Sequence, residues 1–249
     1  MREIQKSEMA LYLSETSHRS QGLDLLEVAH QRLYPSLSNP NFLVLRSRRL
    51  IFQEWIKGLD RQTLTILDVG GRYQPYRPLF GSRVLRYVAC DLTRTELVDV
   101  LATGESLPFA AETFDVVVCT QVFEYFSDPH LAAREIHEAL KPNGALFMSV
   151  ASFAPRFVHE EKWRYTPSGI RSVLSPFSEV TVVPETTSIG GLVRAVNLGL
   201  QSFAYYLVLR KLLGMTICRC LNVAGLALEN MNLTSNDQFT PNYSVLAIK

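Results

Sequence analysis

The sequence predicts an α/β protein built on a parallel sheet that is buried on both faces. Two observations lead there. From Thr63 onward, short and nearly continuous apolar runs rich in β-branched residues recur along the chain. Between them lie amphipathic helical segments with clear start and stop signals. Composition agrees: 249 residues, 47% hydrophobic and 20% charged, describe a globular chain able to bury a substantial core.

Residues 1–62 read as mostly helical and polar. The strongest helix there is "NFLVLRSRRLIFQEWIKGL", where Leu43, Leu50, Ile51, Trp55 and Leu59 share a face at helical spacing. Pro35 and Pro40 bracket a loop before it. This region is expected to form an N-terminal helical cap, with residues 63–249 as the main domain.

The strands follow in order. "LTILDV" comes first and "VLRYVAC" second, ending at Asp91. "VDV" around Asp99 is a short third, and "FDVVVC" ends at Cys119. The helix after it has Asp128 as its cap and Pro129 at its first position. In that helix Ala132, Ile136, Ala139 and Leu140 face the sheet, while Arg134, Glu138 and Lys141 face water. Pro142-Asn143-Gly144 is expected to stop it before the strand "ALFMSV". Thr166 and Pro167 repeat the same helix start, "EVTVV" follows, and "NYSVLAIK" alternates as a final strand.

Before that last strand lies an apolar insertion, residues 186–235. Arg194, Arg210, Lys211 and Arg219 interrupt it, so no uncharged run reaches the roughly 18 residues of a membrane span. Packed helices covering the domain are the main expectation. A peripheral membrane contact or a homo-oligomer contact stays open.

A net charge of +1 gives no general attraction to nucleic acid. Cys218-Arg219-Cys220 is too tight for zinc spacing, so no metal is expected, and the four cysteines read as structural thiols of a cytoplasmic protein. "MREIQKSEMALYLSETSHRS" lacks the apolar core of a secretory signal.

In an open α/β sheet, ligands bind beyond the carboxyl ends of the strands. Asp68, Gly70 and Gly71 would sit there after the first strand. Glycine allows close approach of backbone to a ligand. Asp91 ends the second strand, spaced to accept hydrogen bonds from ribose hydroxyls. Downstream come Glu105-Ser106-Leu107-Pro108-Phe109, Phe114-Asp115-Val116-Val117, Phe123-Glu124-Tyr125, Asp128-Pro129 and Lys141-Pro142-Asn143-Gly144.

As an ordered set with Asp68-Val69-Gly70 and Asp91, these segments resemble the class I S-adenosylmethionine-dependent methyltransferases, of the subgroup called type 11. The likeness runs over residues 64–150 and on through "WRYTPSGIRSVL". It implies a Rossmann-like sheet of seven strands, mostly parallel with the last reversed, and helices on both faces. The extra N-terminal helices and the insertion lie outside it. It implies S-adenosylmethionine as cofactor. Candidate cofactor residues are Asp68, Gly70, Gly71, Arg72, Asp91, Leu92, Thr103, Gly104, Glu105 and Thr120.

The chain departs from that pattern. Arg72 and Gln74 stand where the subgroup carries its second and third glycines. A pyrophosphate needs an open glycine-rich turn at a helix N-terminus, so the departure counts against a dinucleotide more than against the methyl donor. Arg72 suits the methionine carboxylate, with a solvent-facing arginine as the alternative. Thr103 stands where relatives carry an Asp, and Tyr125 where a His is common.

The acceptor is expected at the loops after the fourth and fifth strands. His159 is the candidate base by intrinsic pKa, against the alternative of a surface histidine. Tyr125, Trp163, Arg164 and Tyr165 are candidate acceptor residues, with core packing or a structural ion pair as the competing roles. The expected activity is methyl transfer to a small-molecule, glycan or lipid-linked acceptor. The alternatives are a non-catalytic binding module of the same fold and a membrane-peripheral scaffold.

Overall fold

The computed structural model describes residues 25–153, 160–204, 210–231 and 236–249. Two helices, α1 (Leu25–Leu33) and α2 (Phe42–Lys57), precede β1 (Leu64–Val69). A 3-10 helix, Arg77–Arg83, leads to β2 (Val84–Asp91), β3 (Val100–Leu101) and β4 (Phe114–Thr120). Then come α3 (Pro129–Ala139), β5 (Leu140–Ala151), α4 (Pro167–Val173) and β6 (Glu179–Pro184). Helices α5 (Ser188–Ala204) and α6 (Arg210–Asn230) precede β7 (Asn242–Ile248).

The sheet has seven strands in the order β3-β2-β1-β4-β5-β7-β6. All pairs are parallel except those of β7, which runs antiparallel to both β5 and β6. This is the expected Rossmann-like arrangement with its reversed last strand. The order reverses between β1 and β4, which puts a crevice beyond their carboxyl ends.

Alternation along the buried strands sorts side chains between two cores. On one face Leu67, Val69, Val117, Cys119, Leu146 and Met148 pack with Ala132 and Ile136 of α3 and Ile170 of α4. On the other, Ile66, Val116, Val118 and Phe147 pack with Phe52 and Ile56 of α2 and with Tyr76 and Phe80. Each Val, Leu, Ile, Phe or Met side chain among them, fully buried, stabilises the fold by roughly 1.5–3 kcal/mol.

Helix α2 therefore covers one face of the sheet. It does so because the β1–β2 connection is only a short 3-10 helix, kinked at Gly81. Pro75 and Pro78 explain this, since each disfavours helical backbone at the residue before it. The buried face of α2 is Leu43, Val44, Arg48, Phe52 and Ile56. This is rotated from the apolar face expected from periodicity, and Leu50 is exposed. The reason is Arg48, a buried charge that no hydrophobic pattern reveals.

Both expected caps form. The Asp128 carboxylate accepts from the backbone N–H of His130 and Leu131 at 3.0 Å. The Thr166 hydroxyl accepts from the Gly169 N–H at 3.2 Å. Helix α3 ends one residue before Leu140, which already pairs with Phe114 as the first residue of β5. The Pro142-Asn143-Gly144 stretch forms an irregularity within that strand, with Asn143 at φ 58°.

Helices α5 and α6 pack on each other and on α2. Their contact is pinned by a buried hydrogen bond, Asn197 to Asn222 at 3.0 Å. Asn222 also donates to the carbonyls of Leu37 and Asn39, tying the insertion to the loop before α2. Among the described residues no helix is long and apolar enough to cross a membrane.

Candidate functional site

The turn after β1 is shaped by steric need. Gly70 has φ 75°, and a Cβ there would lie 2.3 Å from Val122 Cγ2. The amides of Gly70 and Gly71 both donate to the Cys90 carbonyl, at 2.8 and 3.1 Å. Those two donors are therefore spent within the protein rather than offered to a ligand. Asp68 lies behind the turn, buried, and accepts from the Tyr87 hydroxyl at 2.7 Å. Burial pushes its carboxyl up to about 7, against the pull of that hydrogen bond, and nearby Asp91 adds to the rise.

Gln74, in the position of a missing glycine, adopts the left-handed backbone itself, at φ 49°. Its side chain compensates. The amide nitrogen donates to Leu97 O at 2.6 Å, and its oxygen accepts from Arg77 at 3.0 Å. Arg72 is exposed, with its guanidinium 5.4 Å from the centre of the Tyr73 ring.

Along the carboxyl edge, Asp91 ends β2 and one of its oxygens accepts from the Thr93 amide at 2.7 Å. Leu92 beside it is 78% exposed, an apolar surface next to an acid. Thr103 bridges to Ser106, and its hydroxyl accepts from the Glu105 amide at 3.3 Å. Glu105 accepts from the Asp128 amide at 2.7 Å, so its carboxylate braces the start of α3. Gly104 lies under Phe126, where a Cβ would come within 2.5 Å of the ring. Thr120 ends β4 and precedes Gln121, which has φ 57°.

Beyond β4 and β5 a small cavity of about 30 Å³ is lined by Gln121, Glu124, Tyr125, Ala151, Glu161, Arg164 and Arg194. Tyr125 and Arg164 were expected on this side. Glu124 and Arg194 enter with them, although neither belongs to the candidate set read from sequence. Glu124 belongs to the Phe123-Glu124-Tyr125 turn motif. Arg194 breaks an apolar stretch, and that interruption was its one visible signal. Glu124 is 3% exposed, and Oε1 accepts from the Ala151 amide at 2.5 Å. Its Oε2 is buried with no hydrogen-bond partner among the described residues. Burial pushes this carboxyl up to about 7, partly offset by the Ala151 N–H.

The remaining acceptor candidates separate. Trp163 is 41% exposed and donates its indole N–H to Phe126 O at 2.8 Å. Arg164 pairs with Glu161 at 2.6 Å. Tyr165 is buried in the core and donates its hydroxyl to Phe123 O at 2.9 Å. His159 lies outside the described residues.

A larger surface groove, about 410 Å³, lies at the opposite ends of the strands between Arg61, Thr65, Leu85, Asp115 and Lys141. Its one carboxylate is already neutralised. Asp115 pairs with Arg61 and with Lys141, and accepts from the Thr65 amide at 2.8 Å. Although burial works the other way, these partners hold its carboxyl below the ordinary range. The groove is thus a structural junction away from the crevice.

Residues 67–148 match the family described as the methyltransferase domain. An uncharacterized methyltransferase of Bacillus subtilis strain 168, YcgJ, is 30% identical over 106 residues, which are 36% of this chain and 41% of that protein. The matched region thus spans less than half of that relative's length. The crystal structure of the [4+2]-cyclase SpnF shares the fold at a TM-score of 0.50, with 14% identity over 80% of each chain. The crystal structure of YcgJ aligns over 82% of this chain and 97% of its own, at a TM-score of 0.46 and 18% identity.

Proposed function

We propose that this chain, whose residues 67–148 match the methyltransferase domain family, is a class I, type 11 S-adenosylmethionine-dependent methyltransferase that transfers a methyl group to a small-molecule, glycan or lipid-linked acceptor. One observation carries the reading. The carboxyl edge of the sheet sets a glycine turn, an acid, an exposed apolar side chain and a polar turn side by side, next to a separate polar cavity. Two ligands that must meet would need such a pair of neighbouring sites.

The residues present fit S-adenosylmethionine. Both glycine amides of the turn are spent on the Cys90 carbonyl, and this cofactor has no pyrophosphate that would need them. Asp91 would hold the ribose hydroxyls, Leu92 would lie against the adenine, and Thr103 and Gly104 would border the base. Arg72 would meet the carboxylate end. When bound, the cofactor supplies an electrophilic methyl carbon on a sulfonium.

The protein's own work is then mainly positional. An acceptor held in line with that carbon gains most of its rate from proximity and orientation. Tyr125 and Trp163 would cover the acceptor and exclude water. The fold alone does not fix the reaction, since a cyclase shares it.

Calorimetric titration with S-adenosylmethionine tests the reading, followed by methyl-transfer assays on a panel of glycans and small metabolites. Saturable binding with turnover on one acceptor is expected. Failure of correctly folded protein to bind the cofactor would sink the reading.

A further inference from the structure

The cavity between Glu124 and Arg194 contains a mismatch of charges that a ligand would resolve. Arg194 is 7% exposed, and no carboxylate among the described residues lies within ion-pairing distance of it. Its partners are neutral: Asn41 Oδ1 at 2.7 Å and the Phe153 carbonyl at 3.3 Å. The other arginine of the cavity, Arg164, is cancelled by Glu161. Gln121 is also spent, donating to Ser149 and accepting from Asn242. What remains is one buried cation without an ion-pair partner, on which Glu185 acts only from beyond ion-pairing distance, and one buried carboxylate oxygen, Glu124 Oε2, without a donor among the described residues. A buried cation and a buried acceptor both cost stability unless something pairs with them. Burial, with Arg48 nearby, lowers the Arg194 guanidinium to about 10, which still leaves it charged near neutral pH.

We propose that this cavity is the head-group subsite of the acceptor, and that it takes a carboxylate on Arg194 and an adjacent hydroxyl on Glu124. The chemistry is that of a hydroxy acid, such as the acidic end of a sugar acid. A planar carboxylate matches the guanidinium fork. The cavity is small, about 30 Å³, so whatever group sits between the two side chains must be compact. The assignment rests on the reading above, in which this edge of the sheet faces the acceptor. It makes Arg194 and Glu124 specificity residues contributed by two separate parts of the chain.

The test uses the full chain and four probes: glycolate, acetate, ethylene glycol and inorganic phosphate. Binding is followed at the indole N–H of Trp163, whose backbone amide, like that of Lys162, donates to the Glu124 carbonyl. Glycolate should bind at least about tenfold more tightly than acetate or ethylene glycol, the gain of one added charge-assisted hydrogen bond. Arg194→Met should weaken glycolate and acetate alike, and Arg194→Lys should restore part of the loss. Glu124→Gln should narrow the advantage of glycolate over acetate. Its oxygen must stay with the Ala151 amide, so a donor would face the cavity. Equal binding of glycolate and acetate, tighter binding of phosphate, or an unchanged glycolate affinity in Arg194→Met would each overturn the proposal. Titration of the same proteins with S-adenosylmethionine separates the two ideas. Normal cofactor binding without glycolate selectivity rejects only the subsite. Selectivity for glycolate without cofactor binding rejects methyl transfer.

Discussion

Arg48 of α2 closes a bidentate, fully buried ion pair with Glu185, 137 residues away, through Nε at 2.7 Å and a terminal nitrogen at 2.9 Å. The same carboxylate accepts from the hydroxyls of Ser149 and Ser244, and Arg48 also donates to the Tyr76 hydroxyl at 3.2 Å. Burial opposes the charge on Arg48, but Glu185 and Tyr76 raise its pKa well above the ordinary value. One network thus joins α2, β5, β7 and the residue following β6.

Breaking this pair from one side should be costly. Arg48→Met would leave Glu185 buried with two hydroxyl donors and no counter-charge, and is expected to destabilise the protein by about 3–5 kcal/mol. Urea denaturation measures it. A double variant, Arg48→Met with Glu185→Gln, should lose less than the sum of the two single changes. Strict additivity would mean that the pair contributes no coupling.

Stability should fall as pH rises from about 4 to about 7. Asp68 moves from 3.8 to about 7 and Glu124 from 4.5 to about 7, both mainly by burial. The folded protein therefore holds protons in this window that the unfolded chain releases. Folding is penalised progressively as the pH climbs, and fully above about 7. Asp68→Asn, which can still accept from Tyr87, should be stabilised relative to wild type at pH 8 more than at pH 5. Denaturation midpoints at the two pH values decide this, and parallel profiles for variant and wild type would refute it.

Gly70→Ala should damage both the fold and the proposed cofactor site. The added methyl meets Val122 Cγ2 at 2.3 Å on a backbone with φ 75°. Left-handed backbone costs roughly 1–2 kcal/mol and overpacking about 1–3 kcal/mol, so a loss of about 2–5 kcal/mol is expected. Thermal unfolding reads the stability and calorimetry the cofactor affinity. A variant as stable as wild type would show that the turn relaxes freely.

Asp91→Ala and Arg72→Ala divide the proposed cofactor site. Removing the Asp91 carboxylate should weaken S-adenosylmethionine by about tenfold or more, through lost charge-assisted hydrogen bonds. Arg72 is exposed, so its removal should cost less and should depend on salt. Unchanged affinity in Arg72→Ala would assign this side chain to its contact with Tyr73.

The local signals were legible because local chemistry determines them. Asp128-Pro129 and Thr166-Pro167 each start a helix in whatever fold surrounds them, and apolar runs such as "FDVVVC" suit only a strand covered on both faces. Ordered motifs along residues 64–150 therefore sufficed to predict the sheet and its crevice. Even the pairing of Asp115 with Lys141 links two motif positions, although its role in holding the strand ends together shows only in space.

What sequence alone left open depends on distant partners. Arg48, Glu185 and Arg194 are charged residues in stretches whose periodicity favours apolar ones, and only a partner far along the chain makes their burial tolerable. The sequence determined the class of fold, the helix caps and the run of residues along the carboxyl edge of the sheet, because propensity, capping and apolar patterning act over a few residues. The tertiary structure decided the face of α2 that is buried, the left-handed Gln74 and the meeting of Glu124 with Arg194. Each of these is settled by hydrogen bonding and charge pairing between segments that only folding brings together.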